Sequence, residues 1–294
     1  MVERPSSQDI HIFERKARER FYRRSKTQFE DYDFLFRWSE AQLLDRLQDI
    51  KRDFPRVVQL GTSGSAEFAQ KLKEAAKAET LYRSDAFLSK ADFICEEEAL
   101  ALAPQSCDLI LSNLNLHAVN DLPGALVQIR RALKPDGLFL AALPGGETLY
   151  ELRDCLMRAE LALKGGVSPR VLPFADKQQM GGLLQRAGFA LPVVDSDIVR
   201  VSYEHMFKLM ADLRGMGESN IASARSRLNP GRDFFAGAAQ MYAETYGEGG
   251  GRITASFEII FLIGWAPHES QQKPLKPGSA QMRLADALGE NKKS

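Results

Sequence analysis

The sequence predicts a doubly wound, Rossmann-like α/β domain with a mostly parallel sheet and a helical cap. Two observations indicate this fold. Short apolar runs that end in small or polar residues alternate with amphipathic helical segments, which is typical of a parallel sheet covered by helices on both faces. The chain has 294 residues, 44% of them apolar and 27% charged, which is enough for one large globular domain or two smaller ones.

Charge and cysteine content exclude several classes of protein. The 39 Lys and Arg balance the 39 Asp and Glu, so we expect no nucleic acid among the partners. The three cysteines are widely spaced, which argues against a disulfide framework or a cysteine-rich zinc site. The longest apolar run, residues 259–265, is strand-sized, so we expect no integral membrane segment.

The N-terminal part of the chain is predicted to be helical, and its composition predicts a cytoplasmic protein. It lacks the apolar core of a signal peptide, and it mixes acidic with basic residues, which transit peptides avoid. Charged and aromatic residues alternate densely from Phe13 to Arg24, and apolar residues from Tyr32 onwards recur at near-helical spacing up to Asp49. We therefore expect a helical region over residues 1–54.

Three short apolar runs with strand character follow this region, at residues 57–60, 80–82 and 92–95. The first run stops at a loop of small residues, 61–65, before a helical stretch that extends to Ala76. The other two runs have acids at their carboxyl ends, Asp85 after the second and Glu96 after the third. The pattern predicts a strand, loop and helix unit followed by two further strands.

The strongest helix signal lies between the fourth and fifth predicted strands, residues 109–111 and 138–143. An N-cap residue, a proline in the first turn and apolar residues on one face predict a helix that ends at a Lys-Pro-Asp-Gly turn, residues 134–137. The fourth strand opens directly into polar Ser112 and Asn113. Polar residues in that position are expected where a buried strand opens into a site.

The remaining elements complete the expected organisation of the chain. They are helices at 147–163 and 177–187, a strand at 191–201, a helical stretch at 204–248 and a last strand at 253–263. We expect four parts: an N-terminal helical region at 1–54, an α/β domain at 55–203 and 252–266, an inserted helical cap at 204–251 and a polar tail at 267–294.

The carboxyl ends of the first strands suit a nucleoside-type cofactor. Ligands of doubly wound sheets bind beyond these strand ends. A small-residue loop beginning at Gly61 permits close approach of its backbone to a ligand, and Asp85 can accept two ribose hydroxyls.

Three segments around this edge resemble the class I S-adenosylmethionine-dependent methyltransferases: residues 107–113, 116–117 and 133–137. The resemblance implies a seven-stranded sheet with S-adenosyl-L-methionine as cofactor. It also implies a set of cofactor-binding residues: Gly61, Ser63, Ser65, Asp85, Glu96 and Ser112. The first loop departs from the usual acid, apolar, Gly-x-Gly-x-Gly pattern, because Gln59 replaces the acid and two glycines are serines.

A more specific likeness spans nearly the whole chain. Its segments are residues 12–15, 53–55, 114–123, 145–153, 212–220, 263–265 and 268–271. They resemble the mitochondrial complex I assembly factor family, which implies hydroxylation of an arginine on a complex I subunit by a methyltransferase-fold protein. For a bacterial homologue this implies a cytoplasmic protein that is peripheral to the membrane through its partner, and for a eukaryotic one the mitochondrial matrix. The malonyl-acyl-carrier-protein O-methyltransferases are similar more distantly.

Candidate catalytic residues follow the fourth strand. His117 can carry a proton near pH 7 or hold a substrate carboxylate or guanidinium partner, and Asn113 lies at the strand end. The alternative for His117 is a hydrogen-bonded structural histidine. The spacing of acids, histidines and cysteines indicates no metal site.

Two further segments have alternative interpretations. Residues 215–220 can line the substrate entrance or cap two helices, and Gly145 with Gly146 can admit a substrate peptide or form a turn.

Three functions remain open from the sequence. The first is an enzyme that modifies a protein side chain, either by methyl transfer or by hydroxylation. The second is a non-catalytic assembly factor with an altered cofactor loop. The third is a malonyl-acyl-carrier-protein O-methyltransferase. Methyl transfer depends mainly on positioning, so a short list of catalytic acids and bases is compatible with it.

Overall fold

The computed structural model describes residues 11–62, 66–87 and 91–272. Ser63 and Ser65, both expected to bind the cofactor, lie outside the described residues. Most of the expected polar tail also lies outside them.

A single seven-stranded sheet forms the centre of the described structure. Its strands are β1 (Arg56–Leu60), β2 (Thr80–Asp85), β3 (Phe93–Ile94), β4 (Cys107–Asn113), β5 (Leu133–Pro144), β6 (Ala190–Tyr203) and β7 (Ile253–Trp265). Their spatial order is β3-β2-β1-β4-β5-β7-β6. The first five are parallel, and β7 runs antiparallel to both β5 and β6. This confirms the predicted doubly wound, mostly parallel sheet.

Eight α-helices surround the sheet in the described residues: α1 (Arg15–Ser25), α2 (Phe34–Gln48), α3 (Ala66–Ala75), α4 (Leu122–Ala132), α5 (Tyr150–Lys164), α6 (Lys177–Arg186), α7 (Met206–Gly215) and α8 (Arg232–Tyr246). Asp121 caps α4, because its carboxylate accepts a hydrogen bond from the Gly124 amide at 2.9 Å. The helical pattern at 204–248 corresponds to α7 and α8 with a non-helical segment between them. That segment ends at Pro230 and Gly231, and Gly231 has φ +91°.

The predicted turn at residues 134–137 is part of β5. The strand begins directly after α4, at Leu133 opposite Cys107, and the next pair in register is Leu138 with Leu109. The extra residues form an irregularity in which Asp136 has φ +62°. The predicted turn is therefore wrong: residues 134–137 form an irregularity inside β5, and the strand begins before them.

Alternating side chains of the strands divide the core between two faces. Val57, Leu109 and Leu138 point to one face, where α2, α3, α5, α7 and α8 pack. Val58, Ile110 and Phe139 point to the other, which α4 and α6 cover. The N-terminal helix α2 and the two helices before β7 therefore share one core with the sheet.

Candidate functional site

The carboxyl ends of β1, β2 and β4 meet at one edge of the sheet, where α1 approaches them. Asp85, the last residue of β2, is 5% exposed. One carboxylate oxygen accepts the Phe87 amide at 2.8 Å, and the other accepts the hydroxyl of Tyr22, from α1, at 2.9 Å. The Thr62 hydroxyl also donates to this second oxygen. The strand-end acid is thus held at the edge by groups from three parts of the chain.

Gly61 follows β1 beside this acid. Its φ is +86°, and a Cβ there would stand 2.8 Å from Cγ of Asn115. A glycine is required by both the backbone conformation and the space. The buried strand-end carboxylate and the side-chain-free loop backbone are what a ribose needs, so these residues fit a nucleoside cofactor.

Glu96, the acid predicted to contact the cofactor, is partly exposed, and its neighbour Glu97 is the buried acid after β3. The Glu96 side chain is 41% exposed and pairs with Arg15. The Glu97 side chain is 8% exposed; it accepts from Asn115 at 2.5 Å and pairs with Arg18 at 3.4 Å. Cys95 and Glu97 are buried and Glu96 between them is not. This alternation of buried and exposed side chains is the sequence pattern that could have indicated the burial of Glu97.

His117 lies in a short 3₁₀ turn, Leu116–Ala118, that follows β4. Its side chain is 5% exposed, and its Nε2 lies 3.0 Å from a carboxylate oxygen of Glu218. Burial raises the pKa of Glu218, but His117 and Arg18 outweigh burial, so the pKa of this carboxyl is lowered and the group is ionised near neutral pH. Glu218 belongs to the motif at 215–220, for which lining of the substrate entrance was one interpretation of the sequence, although no role of its own was predicted for this acid.

Asn113 and Ser112, at the end of β4, do not line the cavities described below. The Asn113 side chain accepts a hydrogen bond from Ser39 at 2.6 Å and donates one to the Phe36 carbonyl at 3.2 Å. The side-chain oxygen and nitrogen of Asn113 are thus both hydrogen-bonded to α2. The Ser112 hydroxyl is fully buried and has no hydrogen-bond partner among the described residues.

Three adjoining cavities lie around Asp85, Glu97 and His117. The first, the Asp85 cavity, has a volume of about 50 Å³ and is lined by Asp85, Glu97 and His117. The second, the Glu96 cavity, has about 730 Å³ and shares Arg18, Phe87 and other residues with the first. A nucleoside cofactor at Asp85 would extend into this larger space.

The third space, the apolar cavity, has a volume of about 260 Å³ and lies on the side of α2, α5 and α7. Leu, Phe and Met side chains form most of its wall. The segment after α7 closes one side of it: Met216, Glu218, Ser219 and Asn220 all line it. Gly217, between them, has φ +83°, and a Cβ there would stand 2.9 Å from the Ser25 hydroxyl of α1. The motif at 215–220 therefore lines a cavity and also contacts α1.

Gly145 and Gly146 differ in what surrounds them. A Cβ on Gly145 would stand 2.5 Å from the Glu258 carboxylate, which accepts the Glu147 amide at 3.0 Å. A Cβ on Gly146 would have only the Phe174 carbonyl at 4.0 Å. Close packing against Glu258 of β7 therefore explains why residue 145 is a glycine. This favours the interpretation of Gly145 as part of a turn over a role in admitting a substrate peptide.

The described residues show neither a metal-binding cluster nor a membrane-spanning helix. In these residues, no group of three or more His, Cys, Asp or Glu side chains has the arrangement of a metal site. The described helices include none that is both long and apolar enough to cross a bilayer.

The matching family model and the relatives of higher identity assign the chain to the enzymes of the methyltransferase superfamily. A methyltransferase domain model matches residues 51–141, from the start of the sheet into β5. The phosphoethanolamine N-methyltransferase 2 of Haemonchus contortus, solved with S-adenosyl-L-methionine, has the same fold, with a TM-score of 0.51 and 14% identity over 85% of this chain and 60% of that one.

Relatives of higher identity define the family within this superfamily. The chain is 40% identical over 292 residues to the arginine-hydroxylase NDUFAF5, mitochondrial, of Danio rerio, covering 96% of this chain and 91% of that protein. It is 32% identical over 243 residues to the malonyl-[acyl-carrier protein] O-methyltransferase of Xylella fastidiosa (strain M23), covering 78% and 80%. The chain belongs to the NDUFAF5 arginine-hydroxylase family, which confirms the resemblance inferred from the sequence.

Proposed function

We propose that this protein modifies an arginine side chain of a respiratory complex I subunit during assembly of the complex, with S-adenosyl-L-methionine as its cofactor. The family relatives that are named arginine hydroxylases support the residue type. The reaction would take place where these subunits are assembled, in the bacterial cytoplasm or, in a eukaryote, in the mitochondrial matrix.

The residues at the strand ends support the cofactor assignment. Asp85 would accept the ribose hydroxyls, and the Gly61 backbone would approach the methionine end. Glu96, which lines the larger cavity, is proposed to lie beside the adenine. When bound, S-adenosylmethionine supplies an electrophilic methyl group for transfer.

The observation that carries the proposal is the shared wall between the Asp85 cavity and the apolar cavity. Leu114, Met216 and Glu218 line both spaces. A long side chain that enters the apolar cavity can therefore reach the edge where the cofactor is proposed to bind. We further propose that residues 204–251 act as a cap on the α/β domain of 55–203 and 252–266, with residues 1–54 completing the site.

Peptide mass spectrometry of complex I subunits tests this function. Subunits from a deletion strain should lack an arginine modification that wild-type subunits carry, and the missing group identifies the reaction as an added oxygen or an added methyl. Identical modification states in the two strains would contradict the proposal.

A non-catalytic assembly factor is the second candidate. It is favoured by the hydrogen bonds that Tyr22 and Thr62 make to Asp85, since these donors stand where ribose hydroxyls would bind. Complementation separates the two functions. Full rescue of the deletion strain by Asp85→Ala, once that variant has been shown not to bind cofactor, would favour the non-catalytic function.

Malonyl-acyl-carrier-protein methylation is the third function, supported by the relative at 32% identity. A substrate carboxylate requires a cation or hydrogen-bond donors at the reacting end of its pocket. The charged residue in the wall shared by the two cavities is Glu218, an acid. This charge disfavours a carboxylate substrate and favours a cationic one.

A further inference from the structure

The wall between the apolar cavity and the Asp85 cavity contains one ionisable side chain among the described residues. The residues lining both spaces are Phe36, Leu114, Met216, Glu218 and Ser219. The Glu218 side chain is 32% exposed and lines both cavities. Phe36, Leu114 and Met216 are apolar, and an acid beside them is costly unless it meets hydrogen-bond donors or a positive partner.

The other acids around the Asp85 cavity already have several donors. Asp85 accepts from Tyr22, Thr62 and the Phe87 amide. Glu97 accepts from Asn115 and pairs with Arg18. Glu218 differs from them because its hydrogen bond goes to a histidine.

His117 contacts one of the two carboxylate oxygens of Glu218. Its Nε2 lies 3.0 Å from Oε2 of Glu218, and its Nδ1 is buried without a hydrogen-bond partner among the described residues. The contact with His117 therefore fixes the orientation of the carboxylate and leaves its Oε1 as an acceptor for another donor.

Three arginines line the two cavities, but among the described residues none forms a salt bridge with Glu218. Arg18 contributes to the lowered pKa of Glu218, but its guanidinium pairs with Glu97 at 3.4 Å. Arg170 pairs with Glu160 at 2.5 Å. The exposed Arg214 donates through Nε to the Met210 carbonyl at 3.1 Å. The Glu218 carboxylate thus keeps an acceptor oxygen for one further cationic partner.

We propose that Glu218, oriented by His117, binds the guanidinium group of the substrate at the boundary between the two cavities. This assignment rests on the proposed function and adds the residue that selects a cationic side chain. The methylene stem of the arginine would pack along Leu114 and Met216, while its head meets the carboxylate. Glu218 is a binding residue in this account, and His117 is a positioning residue.

Two small probes that differ in charge test the assignment. N-acetyl-L-arginine methylamide carries the guanidinium, and its citrulline counterpart has a neutral urea of nearly the same shape. Chemical-shift titrations of labelled protein should show that wild type binds the arginine probe about tenfold more tightly than the citrulline probe. In Glu218→Gln this preference should disappear, while citrulline affinity stays within about twofold.

Conservative variants separate positioning from simple structural support. Glu218→Asp keeps the charge and should retain part of the preference. His117→Gln can still donate a hydrogen bond to Glu218 and should preserve the preference better than His117→Ala. Glu204→Gln removes a charge from an exposed residue away from the three cavities and is the matched control. Thermal melts of each variant establish that the protein is folded.

The outcomes separate this assignment from the proposed function. Equal affinity of wild type for the two probes, absence of binding of the arginine probe, or a preference that survives in Glu218→Gln would overturn the role of Glu218. The arginine modification in complex I subunits is measured independently by mass spectrometry. A modification that is present while Glu218→Gln keeps its preference would refute the guanidinium assignment alone.

Discussion

At the scale of single residues, the contact between Tyr22 and Asp85 links the N-terminal helix to the strand-end acid. The Tyr22 hydroxyl donates to Asp85 at 2.9 Å, and its ring packs on Phe87 with centroids 5.5 Å apart. A cofactor ribose that binds Asp85 must replace this donor. The hydroxyl therefore competes with the cofactor, whereas the ring contributes apolar packing.

Removing only the Tyr22 hydroxyl should tighten cofactor binding. Tyr22→Phe keeps the ring contact and leaves one oxygen of Asp85 with fewer competing donors, so we expect S-adenosylmethionine to bind about three- to tenfold more tightly. Calorimetric titration measures the change. Tyr82→Phe, at an exposed position on β2, is the control and should leave the affinity unchanged. Weaker binding by Tyr22→Phe would mean that the hydroxyl contacts the cofactor.

At the scale of elements, the loop after β5 depends on close packing against β7. The Gly145 amide donates to the Glu258 carbonyl at 2.8 Å, and the Thr148 hydroxyl donates to the same carbonyl at 2.9 Å. These bonds fix the loop that leads into α5, a helix whose Leu152 and Leu156 line the apolar cavity. Packing at Gly145 thus supports the wall of the proposed substrate site.

Gly145→Ala should therefore destabilise the protein while Gly146→Ala should not. The new methyl group at Gly145 displaces the buried Glu258 carboxylate and its bond to the Glu147 amide, at a cost of about 1–3 kcal/mol. At Gly146 the methyl group has space, and the change in stability should stay within about 0.5 kcal/mol. Urea unfolding at neutral pH compares the two variants. Equal stability of the pair would show that the Glu258 contact is unimportant.

The ion pair between α5 and the segment before α6 should make stability depend on pH. Arg170 and Ser168 hold the Glu160 carboxylate, and the Arg170 hydrogen bond lowers the pKa of Glu160 to about 2 from 4.5. Because the folded-state pKa is depressed, the stabilisation is complete above pH 4.5 and is lost as the pH falls towards 2. It amounts to at most about 3 kcal/mol.

Glu160→Gln should remove this pH dependence. The stability difference from wild type should be largest above about pH 4.5 and should shrink towards about pH 2, as urea midpoints at several pH values would show. Glu204→Gln, at an exposed site, should follow the wild-type curve. A stability difference for Glu160→Gln that stays constant with pH would contradict the role of the ion pair.

At the scale of the whole molecule, the site is covered by segments that are far apart in the chain. Glu14, just before α1, binds Arg225 at 2.8 Å and also contacts Arg227, while Phe13 pairs with Ala222 in an isolated bridge. The N-terminal helix and the segment after α7 therefore form one connected cover over the strand ends. Tyr22 comes from one half of this cover and Glu218 from the other.

The predictions from sequence succeeded where local pattern decides structure. Apolar runs located all seven strands to within a few residues, and the acid at Asp85 was placed at the correct edge. The predictions were less complete where distant segments meet. His117 and Glu218 are 101 residues apart, and Tyr22 reaches Asp85 across 63 residues, so neither pair leaves a local signal. The burial of Glu97 had only a weak local signal, because the two-residue strand before it shows little alternation.

Calorimetric titration of S-adenosylmethionine into wild type and Asp85→Ala tests most directly that the strand-end edge is a cofactor site. Wild type should bind, and Asp85→Ala should bind about 10- to 100-fold more weakly through loss of charge-assisted hydrogen bonds to the ribose. Asp45→Ala, at an exposed position of α2, should bind like wild type. Absence of binding to wild type at millimolar cofactor, or equal affinity of wild type and Asp85→Ala, would contradict the cofactor site.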